Sequence, residues 1–356
     1  MDNMLTLMRA LADPTRLRIA ILIRQLELSV GELVQILGQS QPRVSRHIRI
    51  LDEAGLAERR KEGSWVFLRP GPQLLAEHIS ALFTATTQDD ARIIESDLKK
   101  LELVRAGRAQ MAASYFEHHA GEWDSLRSLH VAESEVEAAM QQYLTISPLG
   151  RVLDIGTGTG RMIELFAKEA EHFTAIDNSA EMLRLARAKL AAVPAESRDA
   201  GKIDIMLGDF NALPLNDSSF DTILFHQVLH YAQAPERVIA EAARVLAPSG
   251  RMMIVDFAPH DREELRSVHA HARLGFSNDL ILRAFANGGM HLAHHATLDG
   301  GELTVKIWLG QKFGQKKLDG SQPDNPDMEN ANRSGTQLKP DPQMRPKNRP
   351  EIRIVK

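Results

Sequence analysis

Three glycines at alternate positions, Gly156, Gly158 and Gly160, form the part of the sequence most suited to binding a small ligand. They follow an apolar run at 152–155 that predicts a buried strand, and a helical pattern begins after them. A strand, a tight glycine turn and a helix bring a ligand against bare backbone and the positive end of a helix. The spacing is neither the dinucleotide fingerprint nor a phosphate-binding loop, and an acidic residue, Asp154, precedes the glycines.

Further polar residues stand at the ends of the next predicted strands. The second strand leads to Asp177 and Asn178, where an acidic side chain suits hydrogen bonds to ribose hydroxyls. The third leads to Asp209 and Phe210, and the fourth to His226. The predicted elements after the glycine loop are strands at 172–176, 203–207, 220–225 and 251–257, helices at 235–246 and 277–287, and a closing hairpin of 291–298 with 303–309. Alternating strands and helices of this kind predict an α/β fold with a doubly wound, Rossmann-like sheet and a ligand at its switch point.

Four motifs in this order, DIGTGTGR, AIDNSAEML, GDFNALPLNDSSFDTILFHQVLHY and VLAPSGRMMIVDF, resemble the class I S-adenosylmethionine-dependent methyltransferases over about residues 145–310. The resemblance is closest to the branch that modifies small metabolites and quinone precursors. It implies S-adenosyl-L-methionine as the cofactor, with Asp209 at the adenine amino group and Phe210 beside the ring. The cofactor-binding residues that it implies are Asp154, Gly156, Thr157, Gly158, Gly160, Asp177, Asn178, Asp209, Phe210 and His226.

Two histidines after the fourth strand, His226 and His230, are the candidate catalytic residues. Either can act as a general base for a hydroxyl or an acidic carbon of the methyl acceptor, although the histidine of a V-L-H-Y segment often packs instead. No N-P-P-Y or D-P-P-Y segment follows the fourth strand, which argues against methylation of exocyclic amines in DNA or of glutamine. The chain contains no cysteine, which excludes the arsenite methyltransferase mechanism. We therefore expect a small-molecule methyl acceptor and no metal.

The first seventy residues predict helices followed by a two-stranded hairpin. Asp13 suits the start of the second helix, and Ser29 with Glu32 has the capping-box spacing for the third. A fourth helix, 41–54, has one apolar face and one polar, basic face, and strands at 56–60 and 65–69 follow it. These helices and the hairpin describe a winged helix-turn-helix. The residues predicted to contact double-stranded DNA are Gln41, Arg43, Ser45, Arg46 and Arg49 on the helix, with Arg59, Arg60 and Lys61 on the wing.

The segments LADPTRLRIAILI, ELSVGEL and QPRVSRHIRILDEAGLAERRKEGSWVFLRP resemble the ArsR/SmtB family of bacterial repressors across residues 4–70. That family usually forms symmetric dimers on palindromic operators, which implies a homodimer here. Metalloid-sensing members carry two cysteines where this chain has Ser29 and Gly31, so sensing through thiolates is excluded. His47 and His78 are predicted to be ordinary polar residues rather than metal ligands.

Composition and segment boundaries complete the sequence-based prediction. The chain has 356 residues, a net charge of −4 and ordinary hydrophobic content, and it shows neither a signal peptide nor a membrane-length apolar run, so we expect a cytoplasmic protein. An apolar stripe from Leu74 to Leu82 predicts a dimerisation helix, and Tyr115 and Trp123 pack either on the cofactor or in the core. The predicted domains are 1–88 (winged helix and dimerisation), 89–144 (helical connector and cofactor lid), 145–312 (methyltransferase) and 313–356 (disordered tail).

Two functions follow from this organisation. The first is a transcriptional regulator fused to an S-adenosylmethionine-dependent methyltransferase that acts on a small molecule. The alternative is a non-catalytic sensor, in which S-adenosylmethionine or S-adenosylhomocysteine controls binding to the operator.

Overall fold

The computed structural model describes residues 2–62, 65–76, 88–122, 133–192, 202–299 and 302–314, all of which belong to a single unit spanning residues 1–315. The helices are α1 Asp2–Leu11, α2 Pro14–Gln25, α3 Val30–Leu37, α4 Gln41–Glu53, α5 Pro72–Leu75, α6 Gln88–His119, α7 Glu133–Leu144, α8 Arg161–Phe166, α9 Ala180–Ala192, α10 Pro235–Val245, α11 Glu263–Ser267 and α12 Asn278–Asn287. The strands are β1 Leu28–Ser29, β2 Ala57–Glu62, β3 Trp65–Pro70, β4 Arg151–Ile155, β5 His172–Asp177, β6 Ile203–Leu207, β7 Phe220–His226, β8 Leu246–Phe257, β9 Met290–Asp299 and β10 Thr304–Lys312. His78, Trp123 and most of the predicted dimerisation helix lie outside the described residues, as does the chain from 315 onward.

The N-terminal segment folds as a winged helix-turn-helix, as predicted. The Asp13 carboxylate accepts backbone hydrogen bonds at the start of α2, and Ser29 and Glu32 form a complete capping box on α3. β1, β3 and β2 form a small antiparallel sheet in that order. Val44, Ile48 and Leu51 are buried, because their spacing places them on the face of α4 that packs into the core of this domain.

The long helix α6 connects this domain to the rest of the chain. In its first half the Asp97 carboxylate accepts from Arg18 Nη2 on α2 at 2.7 Å, and Leu101 is buried in the winged-helix core. Near its end the Tyr115 hydroxyl lies 2.7 Å from His269 Nδ1, and the Phe116 ring meets Tyr231 edge-on. One helix therefore contacts both domains.

The C-terminal sheet has the strand order β6-β5-β4-β7-β8-β10-β9. Its strands are parallel from β6 to β8, and β10 is antiparallel to both of its neighbours. The chain leaves β4 toward β5 on one side and later returns to β7 on the other. The carboxyl end of β4 is thus the switch point at which this class of sheet binds ligands.

Apolar layers cover both faces of this sheet, because adjacent residues of a strand point to opposite sides. Leu153 and Ile155 pack in one layer and Val152 packs in the other. β8 begins at Leu246 rather than at the predicted 251, and its pairing with β7 is irregular where it begins. No helix among the described residues is both long and apolar enough to cross a bilayer.

Candidate active site

The glycine loop is built by backbone conformations that side chains disfavour. Gly156, Gly158 and Gly160 all have positive φ, at 74°, 53° and 87°. A Cβ on Gly156 would meet Val228 Cγ2 at 2.2 Å, so that position admits only glycine. The amide of Gly156 donates to the carbonyl of Ile176 at 2.8 Å, which fastens the loop to β5. The loop is consequently rigid and lies open at the end of β4.

Asp177 connects the glycine loop to the next helix. Its Oδ2 accepts from the Gly158 amide at 2.9 Å and its Oδ1 accepts from the Ser179 amide at 2.8 Å. Burial raises the pKa of this carboxyl, while the backbone amides that bind the carboxylate oppose that effect. Each carboxylate oxygen has a second lone pair for a ligand hydroxyl.

The third acidic position follows β6. Asp209 Oδ1 accepts from the backbone amide of Asn211 at 2.8 Å and from its side-chain amide at 2.7 Å. Phe210 packs partly buried against the core of the sheet. Both residues therefore have a fixed place next to the carboxyl end of β5.

A cavity of about 770 Å³ joins these elements. Its volume lies in the range of ligand sites. Nine of the ten predicted cofactor residues line it: Asp154, Gly156, Thr157, Gly158, Asp177, Asn178, Asp209, Phe210 and His226. The tenth, Gly160, does not line the cavity. It precedes α8 in a left-handed conformation and approaches Ala186 of α9, so its position reflects helix packing.

The structure separates the two candidate catalytic histidines. His226 lines the cavity at the end of β7. His230 is 2% exposed, is not part of the cavity lining, and its Nδ1 lies 2.8 Å from Asp256 Oδ1. Its ring stacks on His271, which does line the cavity, at a centroid distance of 4.0 Å. His230 thus lies next to a lining residue, with its ring against that of His271 and its Nδ1 toward Asp256.

Asp256 and His271 are two residues of this region that were not predicted from the sequence. Asp256 is fully buried at the end of β8, where it also accepts from the backbone amides of His230 and Phe257. The signal in the sequence was an acidic residue inside an apolar strand, which normally requires a partner. Nothing in the local sequence marks His271.

The winged-helix domain and α6 form part of the wall of the same cavity. Trp65 and Phe67 of β3 line it together with Arg108 and Phe116 of α6. Arg108 holds this wall in place, since its Nη2 contacts Glu32 Oε2 at 2.5 Å. The cavity therefore lies between the two domains, which the separate sequence motifs gave no means of predicting.

Buried ion pairs join the two domains beside this wall. Arg273 Nη1 lies 2.5 Å from Glu27 Oε2, and Arg266 Nη2 lies 3.2 Å from Glu62 Oε1. The backbone amide of Leu274 also donates to Glu62. Charged pairs of this kind are fixed by tertiary packing and leave no periodic signal in the sequence.

Most of the predicted DNA-contacting residues lie on one outer surface. Gln41, Arg43, Arg46 and Arg49 are exposed on α4 and Ser45 is partly so. Arg59 and Lys61 are exposed on β2, and Arg59 lies 3.1 Å from Asp52.

Arg60 is a correction to the predicted DNA-contacting set. Alternate residues of a strand point to opposite faces, so Arg60 faces inward, where it pairs with Glu27 at 2.7 Å and with Glu62. His47 is partly buried and its Nδ1 lies 3.6 Å from Asp13 Oδ1. Among the described residues, no group of three or more His, Asp or Glu side chains could hold a metal ion.

Comparison with known proteins assigns both parts of the chain. A model of the bacterial regulatory protein arsR family matches residues 13–59, and a methyltransferase-domain model matches residues 153–254. Over 133 residues the chain is 32% identical to a ubiquinone/menaquinone biosynthesis C-methyltransferase, UbiE, of Ruegeria sp., covering 37% of this chain and 52% of that protein. Over 105 residues it is 37% identical to an uncharacterized methyltransferase of Mycobacterium bovis, covering 30% and 39%.

Among solved structures, the magnesium protoporphyrin IX methyltransferase of Synechocystis is 18% identical with a TM-score of 0.42, over 51% of this chain and 83% of that one. The chain spans about half or less of the length of the two curated relatives above. The two family matches fall on the winged helix and on the parallel sheet, respectively. The chain thus joins a helix-turn-helix domain of the bacterial arsR regulatory family to a methyltransferase domain.

Proposed function

We propose that the chain is a DNA-binding regulator whose methyltransferase domain binds S-adenosylmethionine and methylates a small molecule. The observation that carries the proposal is the shared cavity, which contains the glycine loop, Asp177, Asp209 and a histidine that faces the same space. Ligand sites of doubly wound sheets lie at this switch point. The cavity extends beyond the glycine loop to the winged helix, which leaves room for a methyl acceptor.

The residues of the loop fit this cofactor. Gly156 keeps the approach to the backbone open, and Thr157 Oγ1 is buried without a hydrogen-bond partner among the described residues. Buried polar atoms normally have partners, so a ligand group beside Thr157 accounts for this one. In our proposal the glycine loop holds the methionine end, Asp177 the ribose hydroxyls, and Asp209 with Phe210 the adenine.

The protein contributes positioning and proton removal. When bound, S-adenosylmethionine supplies an electrophilic methyl group. Methyl transfer of this kind depends mainly on holding an unprotonated acceptor in line. His226, which lines the cavity, is the proposed base that takes the proton from the acceptor through a ring nitrogen.

The DNA-binding part of the proposal rests on α4 and β2. The exposed basic residues of α4 suit the major groove, and Arg59 and Lys61 suit phosphates. A homodimer places two such helices on two half-sites. The homodimer is supported by the exposed apolar side chains of α1, since Met4, Leu5 and Met8 are all at least 40% exposed. Contact with a second copy of the chain would bury this apolar surface.

A sensor function is the second candidate, and the interdomain ion pairs favour it. Because Arg273 of the methyltransferase domain pairs with Glu27 of the winged helix, a ligand that shifts one domain perturbs the other. Operator affinity that depends on S-adenosylmethionine or S-adenosylhomocysteine, without turnover of any metabolite, distinguishes the sensor from the enzyme.

Titration calorimetry of the full chain with S-adenosylmethionine and S-adenosylhomocysteine tests the proposal. We expect binding in the micromolar range, and Gly156→Val and Asp177→Ala should abolish it. Gly107→Ala is the matched control, because a Cβ at that position in α6 meets no atom within 4 Å. Wild-type protein that binds neither ligand would overturn the proposal.

A further inference from the structure

Aromatic side chains from both domains line the cavity. Trp65 and Phe67 belong to the wing, Phe116 belongs to α6, and Tyr231 follows β7. The Trp65 and Phe67 rings are 6.2 Å apart at 18°, nearly parallel, and Phe116 meets Tyr231 at 4.7 Å. Rings from both domains therefore line one part of the cavity, which we call the chamber.

Two cations pack on the ring of Phe67. Arg60 of the wing and Arg266 of the methyltransferase domain each place a guanidinium 5.0 Å from the centre of its ring. Phe67 is 6% exposed, whereas Trp65 beside it is 44% exposed. The wing thus offers the chamber a large aromatic surface whose inner ring cannot move freely.

A polar group at the chamber wall lacks a partner. The side-chain oxygen of Gln233 is buried without a hydrogen-bond partner among the described residues, and its Nε2 has only a long contact, 3.5 Å, to the carbonyl of Arg105. If the side-chain amide of Gln233 is rotated by 180°, its oxygen and nitrogen exchange positions, and one of the two atoms still lacks a good hydrogen-bond partner. A buried amide in this state is satisfied by a ligand that forms a hydrogen bond with it.

We propose that the winged-helix domain supplies part of the small-molecule site: Trp65 and Phe67 cover a flat apolar ligand whose N–H or O–H donates to Gln233. The ligand class is an aromatic molecule with a hydrogen-bond donor. This inference rests on the proposed function in taking the chamber as the acceptor site. The binding itself is independent of cofactor, so it is tested separately.

The backbone around Gln233 gives this site a direct connection to the winged helix. The carbonyl of Gln233 accepts from Arg273 Nη2 at 3.0 Å, and the same guanidinium pairs with Glu27. A ligand bound to the side chain of Gln233 is thus connected through the Gln233 backbone to the Arg273–Glu27 ion pair between the domains. In the proposal Trp65, on the second strand of the wing, contacts the same ligand.

The experiment uses indole as the probe and 1-methylindole, which lacks the donor, as its counterpart. Calorimetry on the full chain should give a millimolar or tighter dissociation constant for indole. Gln233→Leu should weaken indole binding about tenfold and leave 1-methylindole binding unchanged, as expected for loss of one buried hydrogen bond. Trp65→Ala should weaken both, whereas Trp65→Phe should retain most of the affinity for both.

Gln141→Leu, an exposed glutamine on α7, is the matched control and should leave both affinities unchanged. Absence of indole binding to the wild type, or equal effects of Gln233→Leu and Gln141→Leu, would overturn the inference. Chemical denaturation curves that match the wild type show that Gln233→Leu and Trp65→Ala fold. Loss of cofactor binding by the wild type contradicts the proposed function only, because the indole titration is read without cofactor.

Discussion

Arg273, on the loop after β8, extends its guanidinium into the winged-helix domain and meets the Glu27 carboxylate at 2.5 Å. Both side chains are largely buried, and the backbone amide of Arg273 donates to the carbonyl of His230 at 2.9 Å. Burial alone would raise the pKa of Glu27, but Arg273 and Arg60 outweigh it and hold that pKa below its ordinary value. The wall of the cavity and the base of the wing are thereby joined by one ion pair.

Breaking this pair should be costly. Arg273→Met leaves the Glu27 carboxylate with Arg60 as its remaining cation, so we expect the free energy of unfolding to fall by about 3–5 kcal/mol. Chemical denaturation of Arg273→Met, Glu27→Gln and the double variant measures the coupling. Arg184→Met, in the exposed pair with Glu181, is the control and should lower stability far less, because solvent screens an exposed pair. Equal losses for the buried and exposed pairs would contradict the buried interdomain contact.

Substitutions on the recognition helix and on the wing should affect DNA binding in different ways. Arg43→Ala or Arg46→Ala should weaken operator binding by about 1–3 kcal/mol, with relaxed specificity at one position if the side chain reads a base. Arg59→Ala and Lys61→Ala should each reduce the slope of log affinity against log salt by about 0.9.

Arg60→Ala is the discriminating variant for that surface. Its guanidinium faces Glu27 and Glu62, so the change should lower stability and leave the salt slope as in the wild type. Binding-site selection followed by salt titration measures all of these effects. A slope change for Arg60→Ala equal to that of Lys61→Ala would show that Arg60 reaches DNA.

Cofactor affinity should depend on pH through Asp177. Burial raises its pKa above the ordinary 3.8, so the folded protein takes up this proton more readily than the unfolded chain. Ionisation of Asp177 therefore costs stability as the pH rises, whereas ribose binding to the carboxylate is lost as the pH falls through the raised pKa. Calorimetry at decreasing pH should show weakening that begins above 3.8. Asp177→Asn should bind weakly with no such dependence, and a wild-type affinity that stays constant over this range would refute the assignment.

The two histidines after β7 should give different phenotypes. His226→Gln should lower turnover of an identified acceptor by about 10²–10⁴ with cofactor binding retained, because it removes a base from the cavity wall. His230→Gln should instead lower the free energy of unfolding by about 1–3 kcal/mol, since the hydrogen bond to buried Asp256 is changed. Turnover assays and denaturation curves of both variants separate the roles. Loss of turnover in a fully stable His230→Gln protein would return the catalytic assignment to that residue.

Local patterns were sufficient for much of the fold. The cap at Asp13, the capping box of Ser29 and Glu32, and the apolar spacing in α4 depend on contacts within a few residues, so the sequence alone determined those helices. The glycine loop was equally predictable, because the positive φ at Gly156 strongly favours glycine. These features placed nine of ten predicted cofactor residues around one cavity.

Tertiary structure decided which residues of the two domains line the cavity together. Trp65 and Gln233 belong to different domains, and neither is marked by a local pattern, yet packing brings both to the chamber wall. In the sequence Arg60 cannot be distinguished from its neighbours on the wing. Its direction is set by the alternation of side chains along β2 and by the carboxylate of Glu27. The physical reason is that side-chain burial and buried ion pairing depend on groups distant in the chain, whereas caps and turns depend on adjacent ones. The sequence therefore determined the two domains, and only their packing decided that both line one cavity.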